Sequence, residues 1–168
     1  MKKPHHKNGD SMKVKKIMSK SIIAANASTS ISEVCRNMKE YDIGFIPIQN
    51  NDDFVGVITD RDIVIRAISK GADINDSVEK YITNHIISIN SNADVGDAIE
   101  LMSEEQVKRL LVEEKGKIIG ILSLSDILSI KKDLEVLEYI ANIFSPFDRP
   151  VLKNEVNLIE AEIDQFDL

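Results

Sequence analysis

Residues 56–68 read GVITDRDIVIRAI, and residues 120–130 read GILSLSDILSI. Both run glycine, two apolar residues, a hydroxyl residue, two further residues and then aspartate, so that Thr59 precedes Asp62 as Ser123 precedes Asp126. The steps from 59 to 123 and from 62 to 126 are both 64 residues. Sliding the chain on itself by that offset keeps register without a gap from residue 14 to about residue 65. Val14 falls on Val78, Ile22 and Ile23 on Ile86 and Ile87, Met38 on Met102, Gly56 on Gly120 and Ile63 on Ile127. A constant offset over that length is a tandem duplication, and it decides the fold.

Each copy has the same order of elements. SIIAAN (21–26) and HIISIN (85–90) are apolar runs of strand length. SISEVCRNMKEY opens with Ser30 and Glu33 in capping-box spacing and puts Ile31, Val34, Cys35 and Met38 on one helical face, which predicts a buried structural cysteine. Asp94 and Asp97, with Val95, Ala98, Ile99 and Met102, repeat that pattern. IGFIPIQ and FVGVIT follow as two strands joined by the turn-like NNDD (50–53), and the helix DRDIVIRAISKG ends at Gly71 as its C′ residue. The fold class is therefore α+β, two βαββα units, with boundaries at 14–76 and 77–130. Residues 1–13 form a basic disordered arm, and residues 131–168 a helical, acidic extension with apolar stripes broken at Pro146 and Pro150. A unit of about 55 residues has little area to bury alone. Two units related by a pseudo-twofold would cover each other's sheets and leave two equivalent clefts between the halves.

The composition narrows the function. The net charge of −7 is uneven: residues 1–20 carry seven lysines against Asp10, or +6, which leaves −13 for the remainder. A lysine-rich arm on an acidic body suits solubility, with nucleic-acid contact as the sharper alternative. No apolar run approaches the roughly 18 residues of a bilayer span and no secretory h-region follows the first lysines, so a cytoplasmic protein is expected. The one cysteine, Cys35, excludes an internal disulfide. His5 and His6 have no further metal-ligand types close by, so no metal site is expected. His85, the only other histidine, reads as a surface residue, and no nucleophile, P-loop, dinucleotide or zincin motif occurs, so no catalytic residues are assigned.

A hydroxyl residue followed three positions later by a carboxylate is a capping box, which stabilises a helix start by about 1 kcal/mol and requires no ligand. The same helix end offers free N–H groups and a positive dipole end to an anion. A cap and a ligand site are both open readings of Thr59/Asp62 and of Ser123/Asp126.

Taken together, VKKIMS and VEKYIT, IGFIPI and VKRLLV, GVITDRD and GILSLSD resemble paired cystathionine-β-synthase (CBS) domains, the Bateman module, over residues 14–130. The chain is most similar to small stand-alone bacterial CBS-pair proteins. The resemblance implies that Asp62 and Asp126 accept from ribose hydroxyls and that Thr59 and Ser123 contact ribose or phosphate. An ionised carboxylate suits a diol, since it can accept both hydroxyls. In the first motif Gly44, Phe45, Ile46 and Pro47 would frame adenine, Arg61 would reach phosphate, and Ile22, Ile23 and Ala24 would line the base through their backbone. In the second, Lys108, Arg109 and Leu110 replace the framing segment, without its proline, and Ile86, Ile87 and Ser88 line the base. Lys108 and Arg109 are also candidates to supply phosphate charge across the central cleft.

The function so implied is a non-catalytic regulatory module. It would need no cofactor, would bind an adenosine-containing ligand (AMP, ADP, ATP, S-adenosylmethionine or NAD(H)), would form a homodimer, and would act on an unidentified protein partner in trans. The alternatives are a ligand-free scaffolding dimer and a nucleic-acid-linked regulator that uses the lysine-rich arm.

Overall fold

The computed structural model describes residues 12–51 and 53–130. The N-terminal arm up to residue 11, with His5 and His6, and the C-terminal extension from residue 131 lie outside the described residues.

Two three-stranded sheets carry the fold. In the first unit β1 (Ala25–Asn26), α1 (Ile31–Glu40), β2 (Phe45–Asn50) and β3 (Asp53–Thr59) lead into α2 (Asp60–Asp62), which runs on through a π turn (Ile63–Ala67) and a 3-10 turn (Ile68–Lys70). In the second, β4 (Ser88–Asn90), α3 (Val95–Glu104), β5 (Arg109–Glu114), β6 (Lys117–Ser123) and α4 (Leu124–Ile130) repeat the order. The central strands β2 and β5 pair parallel to β1 and β4, and antiparallel to β3 and β6.

The repeat extends to backbone irregularities. A register shift falls between Ile48 and Gln49 and again between Val112 and Glu113. Left-handed φ values recur in pairs, 52° at Asp42 with 54° at Gln106, and 56° at Asn51 with 51° at Lys115. Gly71 closes α2 at φ 78°, the conformation expected of a C′ glycine.

The first strands are shorter than the apolar runs that predict them. In the second unit the Leu111 N–H donates to the Ile87 carbonyl at 3.1 Å, and parallel pairing begins at Ser88. The equivalent of Leu111 is Pro47, which has no N–H to offer Ile23, so pairing begins one residue later, at Ala25. Ile22, Ile23 and Ala24 are consequently a half-buried lead-in rather than strand.

Two apolar clusters form the interior, and each recruits from the other half of the sequence. The first gathers Ile31 and Val34 of α1, Ile46 and Ile48 of β2 and Ile58 of β3, together with Val78. The second gathers Val95, Ile99 and Met102 of α3 with Leu110, Val112 and Leu122, together with Val14. The turn Val14–Lys16 therefore packs on the second unit and Val78–Lys80 on the first. Val14 donates to the Ala93 carbonyl at 3.0 Å and Val78 to the Thr29 carbonyl at 2.9 Å, an exchange related by the same 64-residue step. Lys13 is held too, its ammonium 2.7 Å from Asp94.

Cys35 corrects an expectation. The buried stripe of α1 is Ile31, Val34 and Met38, and Cys35 sits on its flank, exposed. Desolvation by partial burial still raises the thiol pKa above its ordinary value.

Candidate functional site

The two units meet along paired strand contacts. The amide of Val57 donates to the Thr83 carbonyl at 2.9 Å and the amide of Thr83 to the Val57 carbonyl at 2.8 Å; Ile121 and Ser19 repeat this exchange at 2.9 Å in both directions. Gly56 and Gly120 permit it. A Cβ on Gly56 would lie 2.6 Å from the Thr83 carbonyl oxygen, and one on Gly120 would lie 2.6 Å from the Ser19 oxygen. The glycine that opens each quoted stretch is thus a packing requirement between units, which the apolar pattern alone does not reveal. Its signal is its recurrence at the 64-residue offset directly before a bridging residue.

Both hydroxyl–carboxylate pairs are closed capping boxes. Thr59 Oγ1 accepts from the Asp62 amide at 3.1 Å, while Asp62 Oδ2 accepts from the Thr59 amide at 3.0 Å and from Thr59 Oγ1 at 2.7 Å. Ser123 and Asp126 reproduce these bonds at 3.2, 2.8 and 2.6 Å. In each box one carboxylate oxygen is engaged by the cap. The other oxygen of Asp62 lies 3.3 Å from Arg66 Nε, one helical turn on; the residue equivalent to Arg66 is Ile130.

Beside the first box a cleft of about 700 Å³ opens between the units. From the first unit it is lined by Gly44, Phe45, Thr59, Arg61 and Asp62, and from the second by Ile87, Lys108 and Arg109. Register groups these last three with the second motif, yet they face the first. Leu111, Thr83, His85 and Glu105 add to the same wall, with His85 Nε2 3.8 Å from Glu105. The guanidinium of Arg109 stands 5.9 Å from the centroid of the Phe45 ring, and these two positions are themselves 64 apart, so the pseudo-twofold axis passes between them.

The remaining candidates lie outside this cleft. Ile46, Pro47 and Leu110 are buried in the central strands. Ile22, Ile23, Ala24 and Ile86 are half-buried lead-in residues, and Ser88 donates to Glu113 at 3.2 Å. Ser123 and Asp126 cap α4 away from it. Asp60, Arg66 and Glu105 were not singled out by the sequence; Arg66 was accessible to it as the residue four beyond Asp62 on the same helix.

Four cationic side chains (Arg61, Arg66, Lys108 and Arg109) and three carboxylates (Asp60, Asp62 and Glu105) line the cleft, with an apolar wall of Phe45, Val57, Ile87 and Leu111 between them. Such a surface accepts a flat apolar ring, a polar middle and an anionic end. Among the described residues no cluster of three or more potential metal ligands occurs, and no helix is long and apolar enough to cross a membrane.

The sequence profile of the CBS domain family matches residues 14–68 and again 78–133. A CBS domain-containing protein of Bacillus subtilis, YhcV, is 30% identical over 114 residues, which cover 68% of this chain and 81% of that protein. An uncharacterised Methanopyrus kandleri protein is 30% identical over 124 residues, 72% of this chain, and the match spans 63% of that protein's length. Among solved structures, a conserved Pyrococcus horikoshii protein superposes with a TM-score of 0.68 at 35% identity, covering 75% of this chain and 96% of that one. The CBS domain pair of protein MJ0100, solved in complex with 5′-methylthioadenosine and S-adenosyl-L-methionine, gives 0.64 at 26% identity, covering 71% and 94%.

Proposed function

The chain belongs to the CBS domain family, and from that premise we propose that it is a regulatory module which binds a phosphorylated adenosine nucleotide in the cleft between its two units. One observation carries the reading: the Thr59/Asp62 box of the first unit and the Lys108/Arg109 pair of the second converge on one cleft of about 700 Å³. Adenine would lie against Phe45, Ile87 and Leu111, the ribose hydroxyls would donate to Asp62, and the phosphates would extend toward Arg61, Lys108 and Arg109. Arginine binds phosphate as a planar fork of donors and lysine as a point charge. Binding would change the relative geometry of the two units, because the cleft draws on both.

The output would be a partner protein bound in trans by a cytoplasmic homodimer. Val64 and Ile65, 57% and 51% exposed in the π turn that continues α2, support self-association, since contiguous exposed apolar residues mark contact surfaces. A second reading takes S-adenosylmethionine or 5′-methylthioadenosine as the ligand, as found in the MJ0100 pair. The cluster of cations weighs against a sulfonium and offers a neutral thioether nothing to pair with.

Isothermal titration of unfolded, washed and refolded protein with AMP, ADP, ATP, NAD, S-adenosylmethionine and 5′-methylthioadenosine tests the proposal. Phosphorylated ligands should bind, more weakly as salt is added. Preference for the sulfur nucleosides would replace the ligand assignment, and no heat with any of them at millimolar concentration would leave the two boxes as caps alone.

A further inference from the structure

Among the described residues, Arg66 touches both the Asp62 carboxylate and the segment that joins the units. Its Nε lies 3.3 Å from Asp62 Oδ1, and its Nη1 donates to the main-chain carbonyls of Tyr81 at 3.3 Å and Ile82 at 3.5 Å. Tyr81 and Ile82 pack against the first core, and the next residue, Thr83, makes the strand exchange with Val57. A single guanidinium therefore spans the box, the helix and the entrance to the second unit. The second unit has Ile130 at the equivalent position.

The carboxylate's acceptor capacity gives this geometry its meaning. An ionised carboxylate offers about four lone-pair sites. Two at Oδ2 are taken by Thr59, and one at Oδ1 faces Arg66. A ribose diol brings two donors to what remains, so the setting of Oδ1, and the readiness of Arg66 to yield or share it, governs how well Asp62 accepts. The cap fixes one edge of the carboxylate and Arg66 fixes the other.

We propose that Arg66 is the positioning residue of the first cleft: it acts on the ligand through Asp62, and by its hold on Tyr81 and Ile82 it links the occupied carboxylate to the chain entering the second unit. The inference rests on the nucleotide reading of that cleft. It also makes the two boxes unequal, because Ile130 can neither orient Asp126 nor reach a carbonyl.

The test is a double-mutant cycle on the full chain with ATP as the probe, using Asp62→Ala, Arg66→Ile and Asp62→Ala/Arg66→Ile, with Arg66→Lys as the conservative variant. Arg66→Ile should weaken ATP binding about tenfold or more, and the double variant should bind no more weakly than Asp62→Ala alone, since a residue acting through Asp62 has nothing to act on once it is gone. Arg66→Lys, which keeps the charge and shares the apolar stem, should recover part of the loss. Thermal melting without ligand, run on every variant, separates affinity from stability. Unchanged affinity in Arg66→Ile, whatever its melting temperature, overturns the inference, as does a double variant whose loss equals the product of the single losses, because Arg66 would then touch the ligand itself. Wild-type protein that binds no adenosine compound overturns the nucleotide reading and the inference with it.

Discussion

Replacing Gly56 with alanine tests the way the two units are joined. The added Cβ would sit 2.6 Å from the Thr83 carbonyl oxygen, 3.2 Å from its carbon and 3.4 Å from Asn84 Cα. All three are main-chain atoms, so relief requires the segment around Thr83 to move away from β3. Overpacking of this kind costs about 1–3 kcal/mol, and loss of one of the two Val57–Thr83 hydrogen bonds adds about 1 kcal/mol. Reduced freedom of the unfolded chain returns roughly 0.4–1 kcal/mol. The net of about 2 kcal/mol corresponds to a fall in Tm of roughly 4–8 °C for a chain of this size. Since Val57 and Thr83 both line the cleft, nucleotide affinity should fall as well. Calorimetric melting of Gly56→Ala and Gly120→Ala is the assay, with Gly116→Ala as the contrast, where no atom lies within 4 Å and only the φ of 76° opposes a side chain. A Gly56→Ala protein that melts with the wild type would refute the close approach of the units.

Asp62→Ala should weaken nucleotide binding by more than about 1.5 kcal/mol, the scale of a hydrogen bond to a charged group, and Asp126→Ala by less, as read by titration calorimetry. Equal losses would contradict the asymmetry between Arg66 and Ile130. Lys13→Ala should change stability by no more than about 0.5 kcal/mol in urea unfolding, because its bond to Asp94 is 40% and 34% exposed at its two ends. Desolvation raises the Cys35 pKa, so the folded chain keeps that proton to higher pH than the unfolded chain does. Any stability tied to Cys35 is then present below the unfolded-state pKa and declines as pH rises through it, and iodoacetamide should label Cys35 more slowly in folded than in denatured protein at pH 8. Val64→Asp should shift the protein toward monomer in sedimentation measurements without lowering the Tm of the fold.

The duplication was legible because equal spacing survives where residue identity does not. Apolar classes at a fixed offset announced two units, and glycine–hydroxyl–aspartate announced two helix starts. Adjacency across the axis was legible only in outline. Lys108 and Arg109 align with Gly44 and Phe45 and so group with the second motif by register, while their charge suggests a reach across the central cleft; a twofold that passes between Phe45 and Arg109 brings both segments to the first cleft. Pro47 was noticed as a family feature; its effect on the length of β1 follows only from knowing which amide Leu111 uses. Cys35 falls outside the buried stripe because a helical stripe has edges, and periodicity alone does not locate them.

The traded turns at Val14–Lys16 and Val78–Lys80 bear on ancestry. A half-length chain with one turn, one sheet and two helices would be unable to finish its own core, since the turn that completes it comes from the other half. Two such halves would complete each other as a closed homodimer, each lending its turn to its neighbour. Fusing them replaces association at cellular concentration with an effective concentration on the order of millimolar. Fusion also ends the obligation of identical halves to stay identical: once covalently joined, one half can drift to Arg66 and the other to Ile130, and two equivalent helix starts become unequal.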